Sequence, residues 1–125
     1  MVCRSIQRFL QRKMTKEQAY KIVKLCLELL TPESKWNKRS AFGEKCNDVS
    51  DKYTLGCALE LTQLAVMGEA KSRNLIMRRV RRKVLRHFFW RYGLHPITNF
   101  NRHPKTTYQN VIFVVQQVKE SFCPI

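Results

Sequence analysis

The sequence has no run of apolar residues long enough to cross a membrane, because a spanning helix needs roughly 18 of them. A cleavable signal is not indicated either. The N-terminus is basic, but its apolar residues Ile6, Phe9 and Leu10 are too few for the hydrophobic segment of such a signal. We therefore predict a cytoplasmic protein without a membrane span.

The common catalytic and cofactor motifs are also missing. The chain contains no P-loop, GxGxxG, GxSxG or HExxH pattern, so the usual signatures of nucleotide, hydrolase and zinc chemistry are absent. A catalytic cluster of His95, His103 and a cysteine is an alternative. However, no carboxylate lies near these histidines in the sequence, and ordinary polar loop residues account for the same pattern. We predict that the protein is not an enzyme and has no catalytic residue, metal site or cofactor.

The five cysteines are odd in number and irregularly spaced, and no CxxC pair occurs. This spacing supports neither a zinc ribbon nor a thioredoxin-type redox motif. Cys26 and Cys57 lie within apolar helical patterns, which predicts small core residues rather than ligands. A reducing intracellular compartment is the corresponding expectation.

Glycine and proline are scarce, with four of each in 125 residues, while 44% of residues are apolar and 26% are charged. This composition is typical of a folded protein, and the length is typical of one domain. We predict a compact all-α bundle of four main helices in a single domain, residues 14–125. Residues 1–13 are predicted to form a basic arm or a short additional helix.

Capping patterns and apolar periodicity predict the four helices. A capping box at Thr15-x-x-Gln18 begins the first, which runs to about Leu30 before Pro32. The second begins at Asp48 or Ser50, ends near Met67, and has one apolar stripe. The last runs from about Thr107 to Phe122 after a second capping pattern, Thr106-x-x-Gln109, although its VIFVV run leaves a strand as an alternative. The residues of the apolar stripe predicted on the second helix are Tyr53, Cys57, Leu61 and Leu64.

Two segments, 31–48 and 93–105, lack a sustained period and are predicted to be irregular connections. Trp36 and Phe42 are expected to anchor the first of them to the core. An exposed platform on which a base could stack is the alternative for these two rings.

Positive charge is concentrated in a few segments of the chain. The net charge is +15, of which residues 1–13 carry +4, residues 71–92 carry +9 and residues 93–105 carry +2. Residues 14–70 are balanced, with eight basic and eight acidic side chains. Such a distribution predicts attraction to a polyanion or to an acidic protein surface. A solvated outer face is the alternative, but its like charges would repel at i,i+4 spacing.

Residues 71–92 are predicted to form one basic amphipathic helix. Ile76, Val80, Val84 and Phe88 recur every four residues, and other apolar residues widen that side. The basic residues fall on the opposite side. The apolar residues that widen the apolar face are Met77, Leu85 and Tyr92. The residues on the basic side are Lys71, Arg78, Arg79, Arg82, Lys83 and Arg86.

Arginine and lysine can neutralise phosphates, and exposed aromatic rings can stack on bases. Both kinds of residue occur together here, since Phe89, Trp90, Tyr92 and Phe100 follow the basic cluster. We predict non-catalytic binding of DNA or RNA. The alternative is a small phage- or plasmid-type factor that inhibits an acidic host protein or toxin. The predicted contact residues are Arg78, Arg79, Arg82, Lys83, Arg86, Arg91, Arg102, Lys105, Arg4 and Arg8.

Several short motifs resemble an uncharacterised family of small helical bacterial and phage proteins, known only as a domain of unknown function. They are Trp36, Tyr53-x-x-Gly56-Cys57-Ala58, Ile97-x-x-Phe100-Asn101 and a capped last helix near Thr107, within residues 18–120. Arg102 stands where the family pattern leads us to expect Asp. The resemblance implies an all-helical intracellular fold and an origin in a mobile element, and it assigns no catalytic residue.

Overall fold

The computed structural model describes residues 14–38, 46, 52–71 and 74–122, which fold into five α-helices. Two single turns of 3-10 helix, Glu33–Lys35 and Phe89–Arg91, lie in the connections. The prediction of an all-α fold is confirmed, with one short helix more than the four main helices expected. The predicted arm at residues 1–13 lies outside the described residues. The helices are α1 (Lys16–Leu29), α2 (Leu55–Met67), α3 (Leu75–His87), α4 (Pro96–Arg102) and α5 (Tyr108–Phe122).

The helices share one apolar core. Helix α1 packs against both α2 and α5, while α3 packs on α5 and α4. Each helix contributes fully buried side chains to the same cluster. None of the described helices is long and apolar enough to cross a membrane. Representative core residues, one per helix, are Ile22, Leu59, Val80, Phe100 and Val115.

The start of α1 is the predicted capping box. The Thr15 hydroxyl accepts a hydrogen bond from the Gln18 backbone N–H at 3.1 Å, and the Gln18 side chain accepts one from the Thr15 N–H at 2.9 Å. Two backbone donors that the first turn of a helix leaves unpaired are thereby satisfied. The helix ends at Leu29, before Pro32, as the sequence predicts.

Helix α2 differs from its prediction in both its start and its buried face. It begins at Leu55, where the Thr54 hydroxyl accepts a hydrogen bond from the Cys57 N–H at 3.1 Å, so it starts later in the chain than predicted. The predicted stripe is wrong, since Leu64 is 43% exposed. Apolar residues surround this helix on nearly every side, so periodicity alone does not identify the buried face. The buried residues are Leu55, Ala58, Leu59, Thr62 and Gln63.

Cys57 forms a disulfide bond with Cys46, so the prediction that it is a small core residue is wrong. Its side chain is only half-buried at the start of α2, whereas Cys26 is buried in the core as expected. Disulfides are rare in cytosolic proteins. The predicted reducing compartment therefore gains no support from this pair.

The connection before α2 is anchored by Trp36, as predicted. A short parallel bridge pairs Trp36 with Tyr53, with hydrogen bonds of 2.8 Å from the Asn37 N–H to the Tyr53 carbonyl and 2.7 Å from the Tyr53 N–H to the Lys35 carbonyl. The indole also donates to Asn101 at 2.7 Å. The expectation for Phe42 concerns a residue outside the described part of the chain.

The segment predicted to be irregular, residues 93–105, contains α4. Pro96 occupies its first turn, where a missing N–H costs nothing, and Ile97 and Phe100 reach the core. Helix α5 confirms the helical interpretation of the VIFVV run. Its cap is formed by Thr107, one residue later than predicted. The Thr107 N–H donates to the side-chain oxygen of Asn110 at 3.1 Å, and the Asn110 N–H donates to the Thr107 hydroxyl at 3.2 Å.

Candidate functional site

Helix α3 is shorter than the predicted basic helix at both ends. The Asn74 side chain accepts a hydrogen bond from the Met77 N–H at 2.9 Å and caps the helix there. At the other end, Phe88 leaves the helical conformation with φ −136° and ψ 49°. The chain then makes the 3-10 turn Phe89–Arg91, so the aromatic residues of this region lie on a turn rather than on the helix.

The buried face of α3 is narrower than predicted. Ile76, Val80 and Val84 are buried, which confirms three of the four residues of the predicted apolar series, whereas Phe88 follows the helix and is half-buried. Leu85, in contrast, is 46% exposed, so the prediction that it widens this face is wrong. Leu85 follows Arg78 by seven residues, which is nearly two helical turns, and it therefore lies on the same outward side as Arg78.

Three arginines form an exposed row along α3, which we call the basic stripe: Arg78, Arg82 and Arg86. Successive members are four residues apart, so they are separated by about 6 Å along the helix axis. Within residues 14–38, 46, 52–71 and 74–122, no carboxylate pairs with any of the three. The ion pair that is formed nearby, Lys71 with Glu69 at 3.9 Å, lies before the helix. Residues 71–119 contain no Asp or Glu at all.

Arg79 does not belong to this exposed row, and its predicted orientation is wrong. Its Nη1 donates hydrogen bonds to the hydroxyl and carbonyl of Ser121 at 2.7 and 3.2 Å, and its guanidinium lies 4.7 Å from the centre of the Phe122 ring. The half-buried side chain therefore joins α3 to α5. Lys83, also predicted on the basic side, is half-buried on the flank of α3.

Arg91 likewise has internal partners. Its Nη1 donates to Asn110 at 2.9 Å and to Thr106 at 3.2 Å. Its guanidinium lies 4.8 Å from the ring centre of Phe88 and 5.7 Å from that of Trp90. All of these partners are uncharged, so the positive charge of Arg91 is held in place but not neutralised. Its Nε is buried and has no hydrogen-bond partner among the described residues.

A pocket of about 360 Å³ opens beside the turn that carries Trp90. We call it the Trp90 pocket, and the indole beside it is 67% exposed. Gly93 adopts φ +61°, and a Cβ at this position would overlap the amide of Asn99. Glycine is therefore needed where the chain turns at the pocket. The lining residues are Trp90, Arg91, Gly93, Asn99, Arg102 and His103.

The electrostatic environment of the pocket is positive. Partial burial lowers the pKa of His103, and the positive charges of Arg91, Lys105 and Lys38 lower the same pKa further. Lys38 donates to the carbonyls of Pro104 and Thr106 at 2.9 and 2.7 Å, so its charge too is satisfied by neutral oxygens. An anion entering the pocket would meet uncompensated positive charge.

The remaining predicted residues fall into two groups. Arg102 and Lys105 are exposed near the pocket, whereas Arg4 and Arg8 lie outside the described residues. Among the aromatic residues, Phe89 and Trp90 are exposed, while Phe100 is fully buried and therefore unavailable for stacking on a base. The sequence assigned no binding role to Lys38, Gly93 or Asn99, because a lysine, a glycine and an asparagine in predicted loops carry no distinctive signal for one.

The alternative catalytic cluster is not assembled by the described residues. His103 lines the pocket, but His95 and cysteine are not among the lining residues. Cys26 is buried in the core, and burial raises the pKa of its thiol to about 12, which disfavours the nucleophilic thiolate. No group of metal-binding side chains occurs within the described part of the chain.

Comparisons with known proteins found no match, whether with a family model, a curated protein or a solved structure. The resemblance to an uncharacterised bacterial and phage family therefore stays a prediction.

Proposed function

We propose that the protein binds nucleic acid without altering it chemically, with the basic stripe contacting phosphates. The observation that carries this proposal is the exposure of Arg78, Arg82 and Arg86 in one row with no carboxylate partner among the described residues. Leaving three adjacent like charges uncompensated disfavours the isolated helix. A polyanion would relieve that repulsion.

The geometry of α3 supports phosphate contacts in particular. Ile76, Val80 and Val84 anchor the helix in the core, so the stripe on the opposite side is held by a rigid element. Guanidinium groups can form two parallel hydrogen bonds with one phosphate. Contacts of this kind set affinity and orientation but carry no sequence information. We therefore propose general binding rather than recognition of a particular sequence.

A salt titration tests the proposal. The affinity of the full chain for fluorescently labelled oligonucleotides, measured by anisotropy, should fall steeply with salt. The logarithmic slope should be about −0.7 to −0.9 for each phosphate contacted. A variant with Arg78→Gln, Arg82→Gln and Arg86→Gln should bind more weakly. Its slope should be less steep by the amount that corresponds to about two to three phosphate contacts. Its fold should be checked by circular dichroism.

The matched control removes the same charge elsewhere. Lys16, Lys21 and Lys24 are exposed on α1, and replacing all three with Gln should change the affinity much less. Equal weakening by the two triple variants would show that net charge, and not the stripe, governs binding. No binding to DNA or RNA at low salt would overturn the proposal.

An acidic protein is the second candidate partner, and Leu85 is the observation that favours it. This side chain is 46% exposed on the same side of α3 as the stripe. Phosphate contacts do not require it, whereas protein interfaces combine arginine with apolar residues. If an acidic protein is the partner, it should co-purify after nuclease treatment, and Leu85→Ala should release it. Nucleic acid affinity should be unchanged in that variant.

A further inference from the structure

We propose that the Trp90 pocket receives an unpaired base, so that the ligand class is single-stranded DNA or RNA rather than duplex. This inference rests on the proposed function. Its starting point is the contrast between the two tryptophans. Trp36 is half-buried and hydrogen-bonded to Asn101, whereas the indole of Trp90 is 67% exposed. Covering so large an apolar ring with the face of a ligand would be favourable.

The Trp90 ring has a fixed neighbour. Arg91 lies 5.7 Å from its centre and is itself held by Asn110 and Thr106. A stacking platform supported in this way loses less conformational entropy when a base binds. Aromatic rings accept any base, because every base has a π-face.

The pocket also provides polar groups next to the ring. The Nδ2 of Asn99 donates to the Tyr92 carbonyl at 3.5 Å, which keeps this amide beside the pocket, and the amide oxygen can accept a hydrogen bond from a base edge. Arg102 and His103 complete the lining, and Lys105 adds positive charge beside His103. A base on Trp90 would therefore have its phosphate in a positive environment.

The position of the pocket relative to the stripe favours a single strand. Arg86 lies in the last turn of α3, directly before the turn that carries Trp90. A flexible strand whose phosphates follow the stripe can turn a base towards the pocket. The bases of a duplex are stacked inside it, and exposing one costs a few kcal/mol. Preference for unpaired nucleic acid follows from this difference.

Competition between strand types tests the inference. Anisotropy would be measured with the full chain on labelled 20-nucleotide single-stranded DNA, single-stranded RNA and the matching duplex. Trp90→Ala should weaken single-strand binding roughly 5- to 150-fold, the range expected for loss of one stacked base, and leave duplex binding nearly unchanged. Trp90→Phe should keep most of the affinity, because it keeps a ring. Phe89→Ala is the matched control, since Phe89 is 60% exposed on the same turn but does not line the pocket.

Intrinsic fluorescence provides an independent readout. Single strands should quench tryptophan emission in the unmodified protein, and Trp90→Phe should abolish most of that quenching. Equal losses from Trp90→Ala and Phe89→Ala, or equal losses on single strands and duplex, would overturn the inference and leave the proposed function standing. If the protein binds no nucleic acid, both proposals fail together.

Discussion

The indole Nε1 of Trp36 donates a 2.7 Å hydrogen bond to Oδ1 of Asn101, across 65 residues of sequence. The same oxygen accepts from the Leu55 N–H at 3.0 Å, at the start of α2. The Asn101 Nδ2 donates to the carbonyls of Asn37 and Lys38 at 3.0 and 3.2 Å. One buried amide thus uses its full hydrogen-bonding capacity. It joins α4, the start of α2 and the connection after α1.

Replacing Asn101 with Ala should destabilise the fold by about 2–4 kcal/mol, because several buried polar groups would lose their partner together. Urea or thermal denaturation followed by circular dichroism would measure the change. Gln116→Ala, at an exposed position on α5, is the control and should change stability by less than about 0.5 kcal/mol. A similar stability for both variants would contradict the role assigned to Asn101.

Replacing Arg79 with Gln should separate stability from binding. The variant loses the hydrogen bonds to Ser121 and the stacking on Phe122, so we expect destabilisation by roughly 1–2 kcal/mol. Affinity for nucleic acid should change little, because Arg79 faces α5. Arg82→Gln should show the opposite behaviour, with stability kept and affinity lowered. A larger loss of affinity in Arg79→Gln than in Arg82→Gln would contradict the orientation described.

Replacing Cys57 with Ser should destabilise the protein by about 2–3 kcal/mol, because the bond to Cys46 no longer restricts the unfolded chain. Thermal unfolding with and without a reducing agent measures this effect. Reduction should lower the unfolding temperature of the unmodified protein more than that of Cys57→Ser. Cys46→Ser should reproduce the Cys57→Ser result. Five reactive thiols in the unfolded, unreduced protein would show that the disulfide does not form.

Binding of a nucleic acid should depend on pH through His103. Partial burial and the charges of Arg91, Lys105 and Lys38 lower its pKa, so the imidazole of the unbound protein is protonated less readily than that of a free histidine. A nearby phosphate would favour the protonated ring and raise that pKa. Affinity should therefore increase as the pH falls towards the lowered pKa of His103 and become constant below it. His103→Gln should flatten this dependence, and an unchanged profile would contradict it.

In the unbound protein, the lowered pKa of His103 makes acid decrease the stability of the fold, whereas acid increases the affinity for nucleic acid. Protonation of His103 is less favourable in the folded than in the unfolded chain, so its contribution to stability is present above the unfolded pKa. That contribution is lost as the pH falls through the lowered pKa. Acid should thus weaken the fold slightly while it strengthens binding. Denaturation of the unbound protein at neutral and at acidic pH would measure the effect on the fold separately from the effect on binding.

The parts of the fold that sequence reasoning predicts well are those in which two local signals agree. At the start of α1, the cap formed by Thr15 and Gln18 precedes a clear apolar period, and both are confirmed. Helix α4 was missed because Pro96 and the polar residues around Asn99 favour a turn when read locally. Its helical state depends on Ile97 and Phe100 reaching a core that other helices provide.

The basic stripe could be predicted only in part. Spacing by four residues correctly places Arg78, Arg82 and Arg86 on one side of α3. Arg79 lies on the flank of the helix, where only the position of α5 decides between solvent and the hydroxyl of Ser121. The disulfide between Cys46 and Cys57 could not be predicted from the sequence either, because five irregularly spaced cysteines allow many pairings.

The absence of acidic residues from 71–119, next to a balanced segment at 14–70, makes the distribution of charge along the chain strongly asymmetric. Helices α3 and α4 form the positive end, whereas α5 is neutral overall because Glu120 offsets Lys119. In the field of any highly negative macromolecule, the protein would rotate before contact so that this end leads. Such orientation raises the rate of productive encounters, and dissolved ions suppress it. The distribution of charge thus acts on association kinetics before any hydrogen bond forms.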